Sequence, residues 1–308
     1  MNGGLPERYT VRAGTLDDAQ AVTDLMNACA VADMGHPDTD VSEILGDWRT
    51  PFGDPQTNVR LVLDDDRLVG GAGFWAEPPC AYVWAWCRVH PEHKERGIGT
   101  YLARWLVVAV REVALPRAPA GIRVSLRQMK PDTDADSHAF LLAQGYKPVR
   151  HFLRMGIDLS STVPLPRFPE GVKVRHFDRA TDLPGLVRVE QDIFRDHWGY
   201  VPLDFDQDLS MWAHWIDNDP LFDPTLWFLV MDGDDIAAVC LCQAEVPGEP
   251  DVGYVRSLGV QRKWRRHGLG LAMLQLAFGE FHRRGKARVT LDVDAESLTG
   301  ATRLYEKA

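Results

Sequence analysis

The sequence predicts a mixed α/β protein of two tandem domains built to one plan. Each is a central, mostly antiparallel mixed sheet flanked by helices. Three observations carry this. The 308 residues suit two domains of about 150 residues better than one. The stretch 159–171, LSSTVPLPRFPEG, has three prolines, serines and a closing glycine, and reads as an extended interdomain linker. The flanking pieces, 1–158 and 172–308, repeat one order of elements.

That order can be followed element by element. Val11-Arg12 opens a strand before a helical stretch from Asp17 to Cys29, and Val174-Arg175 does so before Asp182 to Phe194. Each half then has two apolar runs joined by turn residues, which signals a hairpin. These are 60–74, with Asp64-Asp65-Asp66 at the turn, and 228–242, with Asp232-Gly233. A strand (81–89; 253–260), a basic glycine loop (90–99; 261–270) and a long amphipathic helix (100–113; 271–284) follow. A further strand (122–128; 288–294) and a last helix (137–144; 301–308) close each half.

Bulk properties exclude several classes of function. A net charge of -10 argues against wholesale binding to nucleic acid or anionic membrane and favours a cationic small substrate. The N-terminus has no apolar signal core, and no run of eighteen apolar residues occurs, so a cytoplasmic protein is expected. The five cysteines, Cys29, Cys80, Cys87, Cys240 and Cys242, have neither zinc-ligand nor redox spacing. Cys240 and Cys242 alternate in an apolar run and belong on one strand face.

The most informative segment is Arg265-Arg266-His267-Gly268-Leu269-Gly270, followed by Leu271, between a strand and a helix. Glycines let the backbone turn tightly and approach a ligand, and free N–H groups at a helix start attract anions. Arg262, Lys263, Arg265, Arg266 and His267 crowd the loop, which suggests a polyanionic ligand. The Walker pattern needs Lys-Ser/Thr after the last glycine, and the dinucleotide fingerprint has a different glycine spacing.

The loop resembles the Arg/Gln-x-x-Gly-x-Gly/Ala signature of the GCN5-related N-acetyltransferases, and the resemblance extends over residues 10–157 and 172–308. It implies that Arg265 to Leu271 wrap the pyrophosphate of acetyl-coenzyme A, the co-substrate, with no metal required. It also implies that the backbone of Leu258, Gly259 and Val260 binds the pantetheine arm; Gly259 suits a bulge or a close approach. Ala301-Thr302-Arg303-Leu304-Tyr305-Glu306-Lys307 is similar to the family's last motif helix, which makes Tyr305 the acid for the departing thiolate. In the first half, Val89 and Lys94-Glu95-Arg96-Gly97-Ile98-Gly99 keep the glycines. Lysine replaces the usual Arg/Gln there, and Leu141 falls at the tyrosine position. By this resemblance the second half is the catalytic one and the first is degenerate, left to structure or coenzyme binding. The substrate implied is a small-molecule amine, with no nucleic-acid or membrane partner. The layout resembles the mycothiol synthases, which acetylate the cysteinyl amine of a pseudodisaccharide thiol precursor; a non-catalytic acyl-coenzyme A sensor is the alternative from another class.

Three departures from the family pattern matter. The glutamate of its fourth strand is replaced by Tyr254 or Val255, leaving Glu249, Asp251, Glu190 and Asp192 as candidate bases, or none. Its asparagine before the last helix is Leu298. The sequence stops at Ala308, where the family pattern has Gly-Phe and two more strands; either it is truncated there or the second sheet is short.

The remaining candidates are weaker. Asp196-His197-Trp198, Trp212 and Trp215 lie where the acceptor pocket is expected; Trp212 and Trp215 have the spacing of helix core residues. His90 and His93 are separated by Pro91 and lack a third metal ligand, so they are read as adding positive charge near a phosphate. Asp38, Asp40 and Asp64–Asp66 have no calcium-loop spacing and read as solvated turns.

Overall fold

The computed structural model describes residues 4–159, 163–219, 221–297 and 300–308. The chain divides into two compact units, Met1–Pro148 and Val149–Ala308.

The first unit runs β1 (Tyr9–Ala13), α1 (Ala19–Met34), α2 (Val41–Trp48), α3 (Pro55–Asn58), β2 (Val59–Asp64), β3 (Arg67–Trp75), β4 (Tyr82–Val89), α4 (Ile98–Val113), β5 (Ser125–Arg127) and α5 (Ala135–Ala143). Its sheet has the order β1-β2-β3-β4-β5. Only the β4–β5 pair is parallel. The second unit runs β6 (Phe152–Asp158), β7 (Val172–His176), α6 (Arg179–Phe194), α7 (Phe205–Asn218), β8 (Trp227–Asp232), β9 (Asp235–Gln243), β10 (Val252–Val260), α8 (Leu269–Arg283), β11 (Arg288–Asp294) and α9 (Ala301–Lys307). Its order is β6-β11-β10-β9-β8-β7, and only β10–β11 is parallel. Both sheets are thus mixed and mostly antiparallel, as expected.

The two units share local devices as well as topology. Arg12 on β1 donates to Asp18 at 2.7 Å, and Arg175 on β7 donates to Asp182 at 2.7 Å, so each first strand is tied to the start of its helix. Asp65 and Gly233 take positive φ (53° and 60°) at the two hairpin turns the aspartate and glycine clusters predicted. In the second unit the central β9 is buried from Ile236 to Cys242. Leu186, Val187 and Ile193 of α6 and Met273, Ala277 and Phe281 of α8 belong to the same buried core. Burial of each large apolar side chain contributes about 1.5–3 kcal/mol.

One boundary differs from the sequence reading, which carried the first domain to residue 158. Strand β6 lies antiparallel along β11, from Asp158 opposite Arg288 to Phe152 opposite Asp294. Met155 and Ile157 pack against the second core from this strand, and ion pairs accompany the ladder: Arg154 with Asp292 at 3.0 Å, Arg288 with Asp158 at 2.9 Å and, just before the strand, Arg150 with Asp294 at 2.9 Å. The residues 163–171 have no helix or strand, in keeping with the proline content; 160–162 lie outside the described residues. The strand read at 122–128 is shorter, Ser125–Arg127.

Candidate active site

The site is built where two parallel strands part. β10 and β11 are in register only from Val252↔Arg288 to Val255↔Leu291. Both continue, β10 to Val260 and β11 to Asp294, without pairing with each other. Beyond Val255 the β11-facing edge of β10 therefore offers backbone polar groups that the sheet does not use. An extended ligand can add to such an edge as a strand would.

A bulge marks the parting point. The β10–β9 register shifts between Val255 and Ser257, leaving Arg256 as the extra residue. The shift exchanges the faces of the strand. A Cβ on Gly253 would meet Phe281 of α8 at 2.5 Å, whereas one on Gly259 would meet Ile193 of α6 at 2.3 Å. Gly259 is thus demanded by the close packing of α6; of the two readings of this glycine, a bulge or a close approach, the bulge lies at Arg256 instead.

At the far end of the free edge, Gly268 caps α8 with φ 83°, and Arg266 also has positive φ (69°). Open space surrounds the position a Gly268 Cβ would take, so backbone conformation, not crowding, selects glycine. Leu269 is buried and anchors the helix, while Gly270 lets α9 approach: its Cβ would lie 2.9 Å from Leu304. Leu271 sits one residue further along α8.

Most of the loop's charge is spent inside the protein. Arg262 pairs with Asp196, and Arg265 reaches both Asp196 (3.4 Å) and the Val260 carbonyl (Nε, 3.0 Å). Lys263 pairs with Asp235 at 2.7 Å, and the His267 Nδ1 lies 3.2 Å from the Trp264 carbonyl. Arg266 has no ion-pair partner among the described residues. The groups of the loop left free to meet an anion are therefore the α8 N-terminus and Arg266, while Arg265 holds the loop to β10.

Tyr305 packs against the second core from α9. Burial, with the Cys240 thiol of β9 adding to it, pushes its phenol up to about 12. The group is protonated at every working pH, so it holds a proton to give. Cys240 and Cys242 share a face as expected, Sγ to Sγ 3.7 Å. Leu298 lies outside the described residues.

The first unit repeats this backbone with different side chains. Gly97 caps α4 with φ 83°, Glu95 has φ 63°, and a Cβ on Gly99 would lie 3.4 Å from Phe140, as Gly270 faces Leu304. This places Leu141 at the position of Tyr305. β5 ends at Arg127, opposite Trp84, and β4 runs on to Val89. The Lys130 Nζ then donates to the Cys87 carbonyl at 3.4 Å, on the stretch equivalent to Leu258–Val260, and the Val89 carbonyl accepts from the Cys29 thiol at 3.3 Å. Lys94 pairs with Asp33 at 3.7 Å, and Arg96 and Ile98 flank the glycine cap.

The histidine reading needs correction. His93 is buried, with its Nδ1 3.3 Å from the Tyr9 hydroxyl, and His90 lies 2.9 Å from Arg67. Burial lowers both pKa values, with nearby arginines adding to it, so neither supplies positive charge at neutral pH. Trp212 stacks edge-on with Trp215 and Trp227, at 6.0 and 6.1 Å, and packs against the core. His197 packs on Phe194 at 4.4 Å, and burial lowers its pKa.

Of the four candidate bases, the structure singles out one. Asp192 pairs with Arg195, Glu249 is half-buried and Asp251 exposed, both before β10 and away from the bulge in sequence. Glu190 of α6 is buried and accepts from the Ser257 hydroxyl, directly after the bulge. Tyr254, at the family's glutamate position, donates to Asp292 at 3.0 Å.

A glycine-capped helix after a central strand whose parallel neighbour parts from it in the second unit, and ends short of it in the first, is the layout of an acyl-coenzyme A-dependent transferase fold. The profile of the acetyltransferase (GNAT) family matches residues 19–145 and 188–308, and the chain belongs to that family and is an acetyltransferase. A mycothiol acetyltransferase of Salinispora arenicola is 29% identical over 100% of this chain and 95% of its own. One from Thermomonospora curvata is 32% identical over 80% of this chain and 76% of its own. Among solved structures, a GCN5-related N-acetyltransferase from Sphaerobacter thermophilus is 32% identical with a TM-score of 0.78, covering 98% of this chain and 92% of its own. A tandem GNAT protein of the clavulanic acid biosynthesis pathway shares the fold, with a TM-score of 0.69 and 16% identity over 97% and 94%. No helix among the described residues is long and apolar enough to cross a membrane.

Proposed function

We propose that the protein moves an acetyl group from acetyl-coenzyme A to the amine of a small molecule, and that the second unit performs the transfer. The observation that carries this reading is the unpaired edge of β10 from Arg256 to Val260, which leads from the bulge to the Gly268 helix start. Those residues fit the coenzyme: its pyrophosphate would be held by the α8 N-terminus and Arg266, and its arm by the backbone of Leu258 to Val260. Acetyl-coenzyme A supplies the activated acyl group. Backbone N–H groups of the free edge would stabilise charge on the acyl oxygen as the amine attacks. Tyr305 gives its proton to the leaving sulfur. Its raised pKa makes the free phenolate costly, so the proton must move in concert with C–S cleavage.

In the first unit Lys130 lies against the equivalent edge and Leu141 replaces the acid, which supports a non-catalytic role for that half. The test is calorimetric titration with acetyl-coenzyme A, with Gly268→Val and Gly97→Val compared, followed by thiol release with a panel of small amines. Binding lost only in Gly268→Val supports the assignment; loss only in Gly97→Val reverses it.

A second reading narrows the acceptor to the precursor of mycothiol. It is favoured by the full-length similarity to mycothiol acetyltransferases. Acetylation of that precursor, read by mass spectrometry, decides it.

A further inference from the structure

The family's glutamate is missing from β10, yet a carboxylate from a different element meets β10 just past the bulge. Glu190 projects from α6 onto Ser257, whose hydroxyl lies 2.9 Å from one carboxylate oxygen and 3.2 Å from the other. Ser257 is the first residue after the bulge, where β10 leaves β11. The arm of a coenzyme anchored at Gly268 runs back along Val260 and Leu258 toward this point. The four strand steps from Val260 to Arg256 span about 13 Å, so the acyl end comes to rest beside the bulge.

The environment of Glu190 is unfinished. A carboxylate can accept about four hydrogen bonds. Among the described residues only the Ser257 hydroxyl donates to it, and a hydroxyl has one proton for two oxygens. The residue is only 7% exposed, so solvent does not make up the difference. Arg256 on β10 and Asp208 on α7 are the charged groups facing it, and they oppose one another. Asp208 is engaged by Gln191 at 2.8 Å. A buried, under-bonded carboxylate beside the point where β10 parts from β11 is poised to take up an N–H group.

We infer that Glu190 is the base of the transfer, receiving a proton from the acceptor's ammonium, with Ser257 orienting its carboxylate. This rests on the second unit being the catalytic one. The ammonium yields one proton to Glu190, and the neutral amine forms the C–N bond as the C–S bond breaks. Sulfur takes the Tyr305 proton, and the second amine proton returns to the Tyr305 oxygen. Glu190 releases its proton to solvent, so the net products are amide, free thiol and one proton. Burial raises the Glu190 pKa to about 7, which suits a base that must recycle near neutrality.

The experiment compares the parent chain, Glu190→Gln and Ser257→Ala, using the amine with the fastest turnover in the panel. The parent kcat/KM should rise with pH through a pKa near 7, distinct from that of the free amine. Glu190→Gln should lose this limb and fall about 10²–10⁴-fold, with acetyl-coenzyme A affinity unchanged within about twofold. Ser257→Ala should keep the limb but move it to higher pH, because the bond that favours the ionised form is gone; a purely structural serine would leave it in place. A limb that survives in Glu190→Gln overturns the inference. If the parent turns over no amine, the proposed function fails separately. Glu190 is then followed by carbon NMR of its carboxyl, assigned by difference from Glu190→Gln. Titration in the ordinary glutamate range overturns the assignment, and titration near neutrality upholds the environment it requires.

Discussion

The Lys130 Nζ lies 3.4 Å from the Cys87 carbonyl, on the strand edge that the second unit leaves open at Leu258. A side chain of the protein thus makes the bond that a coenzyme arm would make. Burial, reinforced by Arg88, lowers the lysine's pKa. We expect the parent chain to bind one acetyl-coenzyme A. Lys130→Ala should add a second, weaker site, lost again in Lys130→Ala with Gly97→Val. Calorimetric stoichiometry checks this; two equal sites in the parent would contradict it.

The basic loop makes a sharper prediction than its charge count suggests. Arg262 is held by Asp196 and Lys263 by Asp235, whereas Arg266 stands in the left-handed region beside the helix cap. Arg266→Ala should weaken acetyl-coenzyme A binding about fivefold to tenfold, the ~1 kcal/mol of one exposed charge–phosphate contact. Lys263→Ala should change it less than about twofold. Titrations at two salt concentrations test the origin, since the parent's advantage over Arg266→Ala should shrink as salt rises.

Tyr305→Phe removes one hydroxyl and keeps the ring that packs on the core. Loss of an acid should lower kcat by about 10²-fold or more. Coenzyme affinity should be retained, because the proposed anion site is at the start of α8. A kcat unchanged in Tyr305→Phe would remove the acid role.

The parts of this architecture that are set locally were legible in the sequence. Asp232-Gly233 announces its turn, and Gly268 its cap, because each conformation is dictated by neighbours in the chain. What depends on distant partners was not. The β6 run Phe152–Asp158 has no pattern that says which sheet it joins; its partners, the β11 ladder and the core met by Met155 and Ile157, are distant in the chain. Glu190 was one of four carboxylates on equal footing until α6 brought it to Ser257. The histidines at 90 and 93 looked cationic because burial against Tyr9 and Arg67 cannot be read from their flanks.

Gly259 illustrates the same point and can be tested. Its missing side chain makes room for Ile193, whose Cγ2 would lie 2.3 Å from an added Cβ. Gly259→Ala should destabilise the second unit by about 1–3 kcal/mol through overpacking. Adding Ile193→Ala should recover part of that loss, giving a negative coupling in a double-mutant cycle. Denaturant midpoints provide the readout, and additive effects would show that the two positions do not compete for space.

Glu190 also predicts a dependence of stability on pH that needs no substrate. Its folded pKa, about 7, lies above the ordinary glutamate value of 4.5, mainly through burial. At pH below 4.5 both folded and unfolded states carry the proton, and the buried group costs nothing extra. As pH rises from 4.5 to 7 the unfolded chain ionises first, so stability is lost, and above the folded pKa the loss is complete. The gap corresponds to about 3 kcal/mol at most. Glu190→Gln cannot ionise and should escape this loss. The stability difference between variant and parent should therefore grow from pH 4.5 to 7 in favour of the variant and then level off. Denaturation curves across that range measure it, with every other titrating group cancelling between the two proteins. A flat difference would mean that Glu190 is solvated in the folded state. The predicted outcome, a variant more stable at pH 8 and catalytically impaired, is what a carboxylate kept buried for its chemistry should produce.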